Sequence, residues 1–68
     1  MDEDIIDDLA DAFAERLLTA TTNTDYNAIV ADIVVVAVVI HTHEPTYDLR
    51  YFYRRAGFPE PYPIHPME

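Results

Sequence analysis

A chain of 68 residues without cysteine has room for one small domain and has neither a disulfide nor a thiolate metal site to staple it. Thirteen acidic residues against four arginines, with no lysine, give a net charge of −9 and disfavour direct nucleic-acid binding. One glycine and no serine exclude a Gly-rich phosphate loop and a serine nucleophile.

Residues 2–20, DEDIIDDLADAFAERLLTA, predict an amphipathic helix. Ile6, Leu9, Phe13 and Leu17 recur at helical steps, and Ile5, Ala10 and Leu18 widen the stripe. Asp4, Asp8, Asp11 and Glu15 form an acidic outer face. Asp2, Glu3 and Asp4 crowd the first turn, where the helix dipole favours anions. TATTNT, residues 19–24, reads as a loop.

Asp32 alone interrupts the apolar run from Ala28 to Ile40. Valine and isoleucine favour a strand there, yet the run shows no alternation. Tyr26, Ile29, Ile33, Val36 and Ile40 step instead as a helical seam. Asn23 or Thr24 offers an N-cap, so a helix is predicted over residues 25–42.

HEPTYDLRYFYRRAGF predicts a third helix. Pro45 suits a first turn, Thr46 a cap, Arg54 and Arg55 a last turn, and Gly57 the position just past the end. Leu49, Phe52, Tyr53 and Ala56 share one face. A competing reading alternates Tyr47, Leu49, Tyr51 and Tyr53 on a strand paired with residues 33–42. Pro59, Pro61, Pro63 and Pro66 make the end an extended, polyproline-like tail. The expected fold is all-α: a three-helix unit over residues 1–58 with a Pro-rich arm over 59–68. The alternative is α+β, the first helix packed on a β-hairpin.

For a chain of this size, apolar burial and chain ordering are each worth about 100 kcal/mol and cancel. Association is the remaining way to gain stability. A helix apolar nearly all round must be covered on every side, and two short flanking helices are too little cover. A bilayer asks for about 20 apolar residues. The run is shorter and carries Asp32, so membrane insertion is disfavoured. Protein is the expected cover, either copies of the chain or a larger host.

The residues expected at that interface are Ile29, Ile33, Val36 and Ile40 from the apolar run. Tyr51, Phe52, Arg54 and Arg55 join them, because Tyr and Arg are enriched at binding hot spots. Tyr62 and Ile64 of the tail would dock on another chain. Asp32, buried in such a contact, would take a cation from Arg16, Arg50, Arg54 or Arg55. The acidic first helix of one copy would face the arginine-bearing third helix of the next.

His41, His43 and Glu44 suggest metal ligation only on a strand, where the histidines share a face; on a helix end they do not. His65 stands apart in the tail. No metal, cofactor or enzymatic activity is expected. The acidic N-terminus lacks the basic region of a signal peptide, so an intracellular or virion location is expected. A lysine-free, acidic chain with an apolar centre and an arm is similar to minor structural proteins of viruses from salt-loving or GC-rich hosts. The expected function is a non-enzymatic assembly subunit. One alternative is an acidic inhibitor that mimics nucleic acid through Asp4, Asp8, Asp11 and Glu15. Another is a short membrane-associated subunit.

Overall fold

The computed structural model describes residues 2–63 as three helices. They are α1 (Glu3–Thr19), α2 (Asn23–His43) and α3 (Leu49–Ala56). About 74% of the described residues are helical and none is in a strand, so the hairpin alternative is ruled out.

Each helix starts where a side chain meets an orphan N–H. Asp2 caps α1 by accepting from the Asp4 amide at 3.1 Å. Thr22 caps α2 by accepting from the Asp25 amide at 3.0 Å. That is one residue before Asn23, and the helix runs through His43 instead of stopping at residue 42. Only Ala20–Thr22 separates α1 from α2, short enough for a helical hairpin.

α2 ends because Glu44 precedes a proline and is pushed off helical backbone, to φ −135° and ψ 73°. Pro45 and Thr46 do not open α3. The Tyr47 amide donates to the Glu44 carbonyl at 3.0 Å, which places Pro45 second in a tight turn, a position its fixed φ suits equally well. Asp48 is the true cap, accepting from the Arg50 amide at 3.1 Å.

Gly57 closes α3 in the left-handed region at φ 78°. Its N–H donates to the Arg54 carbonyl, and the Phe58 N–H donates to the Tyr53 carbonyl at 3.0 Å. That pair of bonds is a Schellman motif. Its expected apolar contact is present, with the Tyr53 and Phe58 rings 4.9 Å apart.

The core takes Ile6, Ala10 and Phe13 from α1, and Ile29, Ile33, Ala37 and Ile40 from α2. From α3 it takes Leu49, Phe52, Tyr53 and Ala56. The molecule is a slab whose Cα extents are 34 × 24 × 15 Å. With Cα atoms about 2.3 Å from each helix axis and packed axes about 8–10 Å apart, 15 Å holds two layers of helix and no third. α1 and α3 cover one side of α2.

The start of the tail folds back. Tyr62 stacks on Tyr53, with rings 5.5 Å apart and planes 19° from parallel. Through residue 63 the tail is therefore partly engaged with its own chain, and Tyr62 is half-buried there. Ile64 and His65 lie outside the described residues.

Candidate functional site

The α2 helix carries two apolar stripes. The inner one, Ile29, Ile33, Ala37 and Ile40, is buried, with Val36 half-buried beside it. The expected interface residues Ile29, Ile33, Ile40 and Phe52 are thus consumed by the chain's own core. The seam is real, but α1 and α3 occupy it.

On the opposite side lie Ala28, Ala31, Val35, Val38 and Thr42, all exposed and spaced by three, four, three and four residues. Val35 is 62% exposed and Val38 61%, and Val39 at the stripe's edge is 42% exposed. No ionisable side chain lies on this stripe; Asp32 sits at its edge. These residues, the best candidate site on the molecule, were not singled out by the periodicity. A usable signal existed: the inner stripe carries the isoleucines, the outer one only alanine, valine and threonine. The bulkiest apolar side chains go where burial repays them most.

Asp32 is exposed, not buried, and Arg16 Nη2 reaches it from α1 at 3.4 Å. Both side chains are more than half exposed, so the pair orients more than it stabilises. Arg16 also lies over the Phe13 ring, 5.4 Å from its centroid.

The arginines of α3 meet the acids of α1 within one chain. Arg55 donates to both Asp11 carboxylate oxygens, Nε at 2.9 Å and Nη2 at 3.1 Å. Its Nη1 donates to the Tyr51 hydroxyl at 2.8 Å and lies 4.0 Å from Asp7. The fork holds the Asp11 carboxyl below its usual value, with the Arg55 hydrogen bond the main cause and burial opposing it. Arg55 is pushed up for the same reason. The expected charge contact between copies is therefore an internal latch of α3 on α1. Arg54 is exposed, and Tyr51 is 42% exposed.

Asp4, Asp8, Asp11 and Glu15 are all exposed along α1. Asp11 is engaged by Arg55, which interrupts the acidic ladder at its third rung. Among the described residues, the buried Tyr47 hydroxyl meets no hydrogen-bond partner. Burial, followed by the nearby Asp7, pushes its pKa up to about 12.

His41 is half-buried and His43 exposed on the last turn of α2, two residues apart and so on different sides. Among the described residues, no group of three His, Cys, Asp or Glu side chains is placed to hold a metal ion. A shallow groove between the end of α1 and the start of α2 is lined by Arg16, Thr19, Ala20, Asp25, Ala28 and Ile29. The Thr19 hydroxyl in it donates to the Arg16 carbonyl at 3.1 Å. By length and composition α2 is able to cross a membrane, with a mean hydropathy of 1.6 over its best window.

No protein-family model, curated protein or solved structure matches this chain.

Proposed function

We propose that the chain is a non-enzymatic interaction subunit that buries the outer stripe of α2 against another protein chain. The observation that carries this reading is Val35 and Val38, each more than 60% exposed on a stripe without charge. Scattered exposed apolar residues are ordinary, whereas a continuous apolar ridge on a soluble chain marks an interaction surface. Protein is a better cover than lipid. A spanning α2 would have to shed the α1 and α3 contacts that bury its inner stripe, and would carry Asp32 to the bilayer interior. Lying flat on anionic lipid would set a net charge of −9 against a like-charged surface.

The test is to size the protein in a native extract of its source, with wild type compared against Val35→Glu/Val38→Glu. Wild type is expected in a complex larger than one chain, and the variant is expected as a free chain of unchanged helicity. Migration of both as single chains would overturn the reading. Recovery of wild type with the membrane fraction would overturn it in favour of lipid.

A further inference from the structure

We propose that the face of Tyr53 is a seat for an extended segment carrying a tyrosine between prolines, and that the chain's own tail closes this seat as a strap. The site is separate from the outer stripe of α2 and does not depend on it. In the closed form the seat is filled. Tyr62, flanked by Pro61 and Pro63, stacks on Tyr53 with rings 5.5 Å apart and planes 19° from parallel. Phe58 forms a second wall, 4.9 Å from Tyr53 and 6.3 Å from Tyr62, with its ring edge-on to Tyr62 at 63°. The seated ring thus makes one stacked and one T-shaped contact, the two arrangements that aromatic quadrupoles favour.

The walls are fixed and the strap is not. Tyr53 is 1% exposed and packs edge-on against Phe52, 6.1 Å away. Phe58 is held by its N–H to the Tyr53 carbonyl at 3.0 Å. Of residues 59–63, by contrast, only Glu60 and Tyr62 have an N–H to donate, because the other three are prolines. Among the described residues, no backbone hydrogen bond joins this stretch to the helices. The tail is fastened by the Tyr62 ring, so it opens beyond Phe58 with no helix broken and no turn undone. Pro59 and Pro61 restrict the open tail, which lowers the entropy lost on closing.

The ligand follows from what the seat already holds. A segment with proline on both sides of its tyrosine presents the ring with few backbone groups to satisfy. It is already stretched, so it loses little freedom on docking. The net charge of −9 selects a segment that is neutral or basic beside the tyrosine. Closure by the tail sets the threshold. A link of three residues, 59–61, holds Tyr62 at an effective concentration in roughly the millimolar range. A competing segment therefore enters when the tail is drawn off, or when it brings contacts beyond the one ring.

The probe is the pentapeptide acetyl-Pro-Gln-Pro-Tyr-Pro-amide, the sequence of residues 59–63 with its acid neutralised. It is titrated to about 5 mM, enough to fill most of a millimolar site, into full-length wild type, Tyr62→Ala and Tyr62→Phe, with protein amide shifts as the readout. Tyr62→Ala is expected to bind with a Kd of about 1 mM, with shifts at Tyr53, Gly57 and Phe58 and none along the outer stripe of α2. Wild type and Tyr62→Phe, whose straps keep a ring, should bind at least about fivefold more weakly. A peptide with alanine in place of its tyrosine should give no shifts. Equal affinity for wild type and Tyr62→Ala would overturn the strap. No binding to Tyr62→Ala, or binding that survives loss of the peptide's tyrosine, would overturn the seat. Loss of helicity in Tyr62→Ala by circular dichroism would overturn detachment, because the tail would then be a wall of the core.

Discussion

Ile33 and Val35 stand two residues apart on α2. The first is fully enclosed by the core cluster, and the second is 62% exposed. One helix thus presents two apolar faces to opposite surroundings, one closed by α1 and α3 and one bare. Apolar character alone does not decide burial in a chain this small. What decides it is which stripe offers the larger side chains to the two covering helices. The covered side also carries polar fastenings: the Arg55 fork, the Schellman turn and the Tyr53–Tyr62 stack. At the edge of the bare side lies the exposed Arg16–Asp32 pair.

The largest expected contrast between the faces is by truncation. Ile33→Ala should cost about 2–5 kcal/mol, transfer and cavity terms together. Val35→Ala in the isolated chain should be neutral or slightly stabilising, since alanine is the better helix former. Urea melts followed by circular dichroism at low micromolar concentration measure both. Equal losses at the two positions would break the comparison.

Enlargement sharpens it. Ala37 has no accessible surface, so Ala37→Leu should overpack the core and cost about 1–3 kcal/mol. Ala31→Leu should change monomer stability by less than about 0.5 kcal/mol.

A smaller effect is expected at the end of α3. A Cβ on Gly57 would meet only the Leu17 Cδ1 atom, at 3.6 Å, an ordinary contact. The cost of Gly57→Ala is therefore backbone strain at positive φ, about 1–2 kcal/mol. It should loosen the Phe58–Tyr53 contact without touching either stripe of α2, which amide shifts along α2 would verify.

The smallest effect concerns the latch. Asp11 is held below its ordinary pKa of 3.8. A lowered carboxylate contributes stability that is complete above the unfolded value and fades as pH falls through the folded one. Acid titration of wild type should show that loss beginning near pH 4. Asp11→Asn should lack this component of the acid slope, and Arg55→Gln should return the Asp11 carbon shift to an ordinary midpoint.

Much of this architecture is legible in the amino acids, for reasons that differ by element. α1 declares itself because Ile6, Ala10, Phe13 and Leu17 fall on one stripe and Asp4, Asp8, Asp11 and Glu15 on the other, while Ile5 and Leu18, expected to widen the apolar stripe, stay exposed. α3 is legible at its end, where Arg54, Arg55 and Gly57 agree, but not at its start. Pro45 satisfies a turn as well as a helix opening, and only the hydrogen bond from Tyr47 to Glu44 decides between them. α2 is legible as a helix through its seam. Which stripe turns inward is legible only through the placement of the isoleucines, because both stripes have helical spacing and both are apolar. The fate of Arg55 is equally hidden: opposite charges forty-four residues apart attract whether they meet within a chain or between chains.

A body whose Cα atoms span only 15 Å in its thinnest direction has no interior layer that survives when one wall is removed. Detaching α3 would wet Ile6, Ile33 and Ile40 together, since Phe52 and Tyr53 cover the same cluster. Slow amide deuteration should therefore converge on one rate across all three helices, reporting a single opening event instead of a graded series.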